Sequence, residues 1–328
     1  QDLDAFLLPF GYGDGGGGPQ FEMIEAARRL QDLEGCPKVE YTSADAFVQK
    51  LEAAAPTLPV YDGELYLELH RGTLTAKQQI KKNNRMAENL LRMLELCLTR
   101  SAVATHTPAD GTALRPLWNT LLVNQFHDIL PGSCIAAAND RSLHDMAEML
   151  HTGSELLRSW FAPAQNCYTV LNPLDEPCRD VFYLPQIASG FIAQEPGVTL
   201  QNVVLADGTA ATAVYGLERP ALGAAVLHFV PGKQPAQTSR FVYDGKTLTT
   251  PLLQVQLDEL GRITSLVTRA DGMQWADGPM NTLLMAEDVS AGWDGWDIDA
   301  DCMMKLQPAA RLTKQTVTAD GPQEFRLH

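Results

Sequence analysis

The period of the apolar residues changes once along this 328-residue chain, and that change constrains the fold more than any other feature. Between residues 75 and 161 apolar residues recur every three or four positions, as in amphipathic helices. After residue 163 they alternate in short runs separated by Asn-Pro, Asp-Gly and Pro-Gly turns, as in strands. A helical region followed by a β region predicts a multidomain α+β chain.

Three helices are predicted in the helical region. The first begins near Thr75 and carries a single apolar stripe made of Ile80, Ala87, Leu91, Leu94 and Leu98. The second is predicted from Leu114 to about Phe126, and the third from Ile135 to Phe161. Because short polar links join them, we expect a three-helix bundle.

The first 56 residues have α/β character. Two helices are predicted, over Glu22–Leu30 and Ala46–Ala55, with a short strand between them at Lys38–Tyr41. In the β region strands are predicted at residues 168–171, 203–205, 225–227 and 253–257. A hairpin is predicted from Leu257 to Val267, with its turn at residues 259–262. The predicted domains are residues 1–60, 61–163 and 164–328.

Charge and cysteine content narrow the class of partner. With 25 basic and 40 acidic residues the net charge is −15, which argues against nucleic acid as a partner. No apolar run approaches the roughly 20 residues that span a membrane. The six cysteines include no C-x-x-C pair, so we expect neither a thiolate metal site nor a disulfide framework. Free cysteines are typical of a reducing compartment, and we therefore expect the protein in the cytoplasm.

A glycine loop, LPFGYGDGGGGP, occupies residues 8–19 and contains one carboxylate, Asp14. Its G-x-G-x-x-G pattern, with Glu40 about 20 residues on, fits a dinucleotide-binding turn. Against that hypothesis, Asp14 would face the pyrophosphate, Pro9 interrupts the preceding strand, and no further βαβ units follow. The other interpretations are a surface loop and an active-site wall that holds the carboxylate close to a substrate.

A second polar stretch, NQFHDILPGS, lies at residues 124–133, where the second predicted helix ends. His127 and Asp128 are adjacent, and at a helix end both side chains can reach one concave site. The alternative is a structural histidine with no chemical role.

Two further stretches could line a site or simply pack. In WDGWDID, residues 293–299, two tryptophans alternate with three carboxylates, which suits sugar rings because ring faces stack and hydroxyls need acceptors. The alternative is a packing cluster. In ELYLELHRGT, residues 64–73, strand alternation would place four polar side chains on one face, lining a cleft or facing solvent: Glu64, Tyr66, Glu68 and His70.

Together and in this order, FGYGDGGGGP, GELYLELHRGT, NQFHDILPGSCI and WDGWDID resemble glycoside hydrolase family 38, the α-mannosidases, and are most similar to its cytosolic and bacterial branch. The resemblance implies a zinc-dependent retaining enzyme that hydrolyses terminal α-mannosyl linkages of oligosaccharides in mannose metabolism. It implies that residues 1–60 end an α/β catalytic domain, that residues 61–163 form a helical middle domain, and that residues 164–328 begin a β-sandwich region. A homo-oligomer is compatible with it.

The resemblance also implies roles for individual residues. His127 would bind zinc through a ring nitrogen, and Asp128 would accept hydrogen bonds from sugar hydroxyls. Asp14 is the candidate general acid/base, since retaining glycosidases use two carboxyl groups about 5–5.5 Å apart. Trp293 and Asp294 complete the predicted substrate-binding set.

The family's nucleophilic Asp and its other zinc ligands, including a His-x-Asp pair, are not in this sequence. We expect them N-terminal to it, in a longer protein. One histidine cannot hold zinc tightly, because catalytic zinc sites normally have three protein ligands. These 328 residues alone are therefore expected to be inactive. The alternative is a non-catalytic carbohydrate-binding or degenerate fragment, and whether Glu64, Glu68 or His70 enters the site is left open.

Overall fold

The computed structural model describes residues 3–13, 16–64, 69–161, 164–234 and 238–328. Contacts between residues divide the chain into two units, Gln1–Leu67 and Glu68–His328.

The first unit contains two α-helices in its described part, α1 (Phe21–Leu30) and α2 (Ala44–Ala54). Both confirm the prediction to within two residues. Helix α2 begins where the Ser43 hydroxyl accepts a hydrogen bond from the Ala46 N–H at 3.2 Å, which is an ordinary N-cap. A 3₁₀ turn, Ala55–Thr57, follows α2.

The predicted strand at Lys38–Tyr41 is wrong. The segment belongs to no strand and pairs with none in the described part of the unit. Instead the Val39 N–H donates to the Gln31 carbonyl at 3.3 Å, which ties the segment to the end of α1. A short apolar-polar alternation becomes a strand only when a neighbouring strand completes its hydrogen-bond ladder.

The second unit begins with the helical bundle: α3 (Gln78–Thr105), α4 (Arg115–Asn124) and α5 (Ala136–Ser159), with 3₁₀ turns at Arg71–Leu74 and Thr112–Leu114. Four of the five predicted stripe residues of α3 are buried, and the fifth, Leu98, packs against the same core. That core contains Ala87, Leu91, Leu94, Leu114, Leu117, Leu121, Met146 and Met149. The three-helix bundle is confirmed.

The β region follows with these strands among the described residues: β1 (Cys167–Leu171), β2 (Phe182–Pro185), β3 (Phe191–Ala193), β4 (Thr199–Val204), β5 (Ala210–Tyr215), β6 (Ala224–Pro231), β7 (Val242–Tyr243), β8 (Thr247–Thr249), β9 (Leu253–Leu257), β10 (Ile263–Thr268), β11 (Leu284–Met285), β12 (Gln307–Pro308), β13 (Val317–Asp320) and β14 (Phe325–Leu327). A 3₁₀ turn, Ala300–Lys305, lies between β11 and β12. All strand pairs are antiparallel.

Two three-stranded sheets, in the orders β1-β6-β3 and β2-β5-β4, share one apolar core. Leu200 and Val214 enter it from one sheet, and Leu227 and Phe229 enter it from the other. This sharing gives the sandwich-like packing that the alternating pattern predicted. The predicted hairpin is the β9–β10 pair of a four-stranded sheet, β10-β9-β8-β7.

Two arginines of α3 connect the bundle to the β region. The Arg92 guanidinium donates to the Pro173 carbonyl at 3.0 Å, and the Arg100 guanidinium donates to the Leu222 carbonyl. Helix α3 is therefore attached to two loops of the β region.

Candidate functional site at the end of the helical bundle

Three stretches that the sequence singled out meet in the second unit: residues 70–73, the turns after α4, and residues 293–299. The first and last contact each other although 227 residues separate His70 from Asp297. Backbone hydrogen bonds, a ring contact and closely approaching glycines build this junction.

The chain leaves α4 in a direction that α3 fixes. Beyond Asn124, the Gln125 side-chain amide donates to the Asn84 amide oxygen at 3.0 Å and to the Glu88 carboxylate at 3.1 Å. Asn84 in turn donates to Glu88 at 3.0 Å, so all three side chains are hydrogen-bonded to one another. A glutamine at a helix end gives no sequence signal that it will bond to another helix.

His127 and Asp128 lie in the turn that follows. The His127 side chain is 74% exposed, and its Nε2 lies 3.8 Å from Oδ2 of Asp128, whose side chain is half-exposed. The imidazole packs on the Phe126 ring with centroids 4.3 Å apart. An imidazole and a carboxylate are thus presented to solvent side by side.

Lys81 of α3 holds the next turn in place. Its ammonium donates to the carbonyls of Leu130 and Pro131, each at 3.0 Å, and to the carbonyl of Ala76. Burial lowers the pKa of Lys81 from its ordinary value. Neither Lys81 nor its role could be recognised beforehand, because a lysine in a polar run carries no signal of what it will face.

Gly132 lets this turn approach the start of α3. Its φ is +87°, and a Cβ added there would lie 2.8 Å from the Ala76 carbonyl oxygen. Only glycine fits both conditions without strain. The sequence Pro131-Gly132 is typical of a turn, but it does not indicate which part of the chain the turn will approach.

The described part of the 64–73 stretch is not a strand, so its predicted alternation is wrong there. His70 has φ +64° and precedes the 3₁₀ turn Arg71–Leu74. The alternation failed because backbone hydrogen bonds from this turn go to residues 296 and 297 rather than to a parallel or antiparallel neighbour. Residues 65–68, including Tyr66 and Glu68, lie outside the described residues.

The Trp-rich stretch forms a turn on this surface. The Trp293 carbonyl accepts hydrogen bonds from the N–H groups of Trp296 at 2.9 Å and Asp297 at 3.2 Å. The His70 N–H donates to Oδ1 of Asp297, and the Gly72 N–H donates to the Trp296 carbonyl at 2.9 Å.

The two tryptophans have different environments. Trp296 is partly buried and its ring lies 4.9 Å from the His70 ring, centroid to centroid. Trp293 is 75% exposed, and Asp294 beside it is exposed too. Packing against His70 therefore explains why a tryptophan is present at position 296. None of the described contacts explains why a tryptophan at position 293 is exposed to solvent.

The Trp-rich turn also meets the turn after α4. Gly295 has φ +80°, and a Cβ there would lie 3.4 Å from Cα of Ser133. The Ser133 hydroxyl donates to the Asp128 carbonyl at 3.4 Å. The exposed Trp293 and Asp294 thus belong to a turn that contacts Ser133, whose hydroxyl is bonded to the Asp128 backbone.

The structure leaves some predicted site residues unplaced. Asp14 lies outside the described residues, and Glu64 is an exposed residue of the other unit. Among the described residues no group of three or more His, Cys, Asp and Glu side chains could hold a metal ion. All six cysteines, each in the described part, are free thiols. None of the described helices combines the length and apolar character needed to cross a membrane.

Comparison with known proteins follows the same division of the chain. Residues 1–64 match the glycosyl hydrolases family 38 N-terminal domain, and residues 68–162 match the alpha mannosidase middle domain. Alpha-mannosidase 2C1 of Homo sapiens is 34% identical over 312 residues, which is 90% of this chain and 28% of that protein. Alpha-mannosidase G of Dictyostelium discoideum is 42% identical over 138 residues, 41% of this chain and 13% of that protein.

Among solved structures, an alpha-mannosidase from Enterococcus faecalis V583 superposes with a TM-score of 0.56 at 12% identity, over 93% of this chain and 41% of that one. At 12% sequence identity this similarity supports a shared fold and nothing more. The chain spans a little over a quarter of the length of the human relative.

Proposed function

This chain belongs to glycosyl hydrolase family 38, and we propose that it forms part of a zinc-dependent, retaining α-mannosidase that removes terminal α-mannosyl residues from oligosaccharides. The observation that carries the proposal is the side-by-side exposure of His127 and Asp128 at the end of the bundle, on the junction with the Trp-rich turn. The cytoplasm, a reducing compartment, suits its six free thiols.

In this proposal the surface around His127 binds the glycan. The Asp128 carboxylate accepts hydrogen bonds from sugar hydroxyls, and Asp294 offers a second acceptor. The exposed face of Trp293 stacks on the C–H face of a sugar ring. A neutral substrate is compatible with the net charge of −15, which repels nucleic acid.

The described residues do not make a complete zinc site. A catalytic zinc needs about three protein ligands, and here one imidazole stands beside one carboxylate. We propose that His127 is one ligand of a zinc whose remaining ligands lie outside this chain. The imidazole packs on the Phe126 ring and is 74% exposed, which leaves its Nε2 accessible to such an ion.

Asp14 remains the proposed general acid/base. The Tyr12 N–H donates to the Gly17 carbonyl at 3.0 Å, so the described ends of the glycine loop on either side of Asp14 lie next to each other. Glycines on both sides of a carboxylate in the sequence put little side-chain bulk around it, which suits approach to a branched glycan. The nucleophile in this proposal lies outside the chain.

The test is the hydrolysis of an aryl α-mannoside, with the β-mannoside and the α-glucoside as controls, by the complete gene product. We expect turnover of the α-mannoside alone, with α-mannose as the first product seen by NMR. First release of β-mannose would overturn the retaining mechanism. A folded, zinc-supplemented protein with no turnover would overturn the proposal.

The alternative, a non-catalytic carbohydrate-binding protein, is favoured by one observation, the absence of a complete metal group among the described residues. It predicts that mannose raises the melting temperature of the complete gene product while no mannoside is hydrolysed.

A further inference from the structure

We propose that Asp297 and Trp296 are positioning residues that hold the turn of residues 293–299 against residues 70–72, so that Trp293 stays exposed towards the glycan. The inference rests on the proposed function, because it explains how that site keeps its aromatic platform. We call the contacts between residues 70–72 and 296–297 the latch.

The turn needs to be held, because its backbone is strained. Trp293 has φ +58°, in the left-handed region that a bulky side chain rarely adopts. Such a residue persists only where its surroundings fix the local conformation. A large apolar side chain that is 75% exposed gains nothing from packing to offset this cost.

Hydrogen bonds within the turn supply part of the constraint. The Trp293 carbonyl accepts from two N–H groups, those of Trp296 and Asp297. These bonds close the turn, but they do not fix it to the rest of the molecule.

The latch supplies the attachment. The carboxylate of Asp297 accepts from the His70 N–H, and the Trp296 carbonyl accepts from the Gly72 N–H at 2.9 Å. The ring of Trp296 lies 4.9 Å from the ring of His70. His70 is itself fixed, because its carbonyl accepts from the Thr73 hydroxyl at 2.6 Å and from the Thr73 N–H at 3.3 Å.

Close approach across the latch leaves little room for movement. Gly72 is buried, and a Cβ there would lie 3.1 Å from the Asp297 carbonyl oxygen and 3.2 Å from that of Trp296. On the far side of the turn Gly295 packs against Ser133. The turn is thus held between the start of the bundle and the turn after α4.

Asp297 and Trp296 act through Trp293 rather than on a ligand directly. Oδ1 of Asp297 is occupied by the His70 N–H, and the Trp296 ring is partly buried against the His70 ring. Trp293 and Asp294 are the exposed members of the turn. Removing the latch should therefore resemble the loss of Trp293 itself.

A double-mutant cycle in the complete gene product tests this. Trp293→Ala and Asp297→Ala are each expected to raise KM for a mannose oligosaccharide roughly three- to tenfold, while kcat on an aryl α-mannoside changes less than about twofold. The double variant should be no worse than Trp293→Ala alone, since both changes remove the same platform. Asp297→Asn retains the Oδ1 acceptor and should restore KM to near the wild-type value.

Two further variants distinguish loss of the latch from misfolding of the protein. Gly72→Ala pushes the turn away from the opposite side and should reproduce the KM effect of Asp297→Ala. Asp301→Ala is the matched control, because the ion pair described for Asp301 is local, with Lys305 at 2.7 Å on the neighbouring 3₁₀ turn. Its KM should not change.

If the fold-increases in KM of the two single variants multiply in the double variant, the two residues act independently and the latch proposal is wrong. The proposal is also wrong if Asp297→Asn raises KM as much as Asp297→Ala does. The negative charge of Asp297, and not its hydrogen-bond acceptor, would then be what the site requires. A wild-type protein without turnover would overturn the proposed function, and this inference with it. Tryptophan fluorescence titrated with the oligosaccharide gives the same comparison without turnover.

Discussion

At the scale of single residues, the junction contains two of the seven described non-glycine residues whose φ is positive. Trp293 and His70 both have positive φ, and they belong to the two segments that the latch joins. Left-handed backbone in non-glycine residues costs free energy and concentrates at functional sites. Here it appears at the turn that carries the exposed tryptophan.

Replacing Trp293 by glycine is expected to stabilise the protein relative to replacement by alanine. Both variants lose the ring, but only glycine relieves the positive φ, which is a difference of about 1 kcal/mol. Chemical unfolding of the complete gene product measures this difference. Equal stability of the two variants would show that the turn is not strained.

The thiol of Cys97 should react more slowly than that of Cys36. Burial raises the pKa of Cys97, outweighing the opposing charge of Arg100, whereas Cys36 is exposed. The neutral thiol is thus favoured in the folded state, so its contribution to stability is present at neutral pH and is lost as pH rises above about 8.5. Alkylation followed by mass spectrometry should label Cys36 first, and labelling of Cys97 as fast as that of Cys36 would contradict this.

At the scale of elements, the turn after α4 depends on one glycine and one lysine. Lys81 binds three carbonyl groups of this region, and Gly132 makes the close approach to Ala76. These contacts hold the turn that follows His127 and Asp128 against the start of α3.

Gly132→Ala is expected to destabilise the protein by roughly 1–3 kcal/mol, because alanine would be strained at φ +87° and would crowd the Ala76 carbonyl. The matched control is Gly111→Ala, where the added Cβ meets nothing within 4 Å and φ is −85°. Thermal unfolding of both variants checks the prediction. A loss no larger for Gly132→Ala than for Gly111→Ala would contradict it.

Elements with a long period were predictable from sequence. The stripe from Ile80 to Leu98 repeats over several turns, so only one helical face could be buried. The four-residue alternation at 38–41 was too short to distinguish a strand from an extended linker, and the structure gives it no partner strand. Helix α4 begins one residue later and ends about two residues earlier than predicted, and its C-cap Gln125 still donates its N–H to the Leu121 carbonyl at 3.0 Å.

The junction itself could be predicted only in part. The sequence singled out all of its segments, since His127, Asp128 and the tryptophans are conspicuous residue types. It could not show that His70 would meet Asp297, because a backbone N–H that bonds a carboxylate 227 positions away leaves no local pattern. Gly72 and Lys81 were missed for the same reason.

At the scale of the whole molecule, the account depends on groups outside this chain. The described residues contain no group of side chains able to hold a metal, and the chain spans about 28% of its human relative. We therefore expect the 328-residue chain by itself to hydrolyse no aryl α-mannoside, while the complete gene product does. Turnover by the isolated chain would contradict this.

The most direct test of the central claim compares His127→Ala with His144→Ala in the complete gene product. The two histidines are matched: their side chains are 74% and 75% exposed, and each lies within 4 Å of a carboxylate, that of Asp128 or Glu148. We predict that His127→Ala lowers kcat/KM for an aryl α-mannoside by about a hundredfold or more and lowers bound zinc, whereas His144→Ala changes neither. Equal activity and zinc content in the two variants would contradict the account.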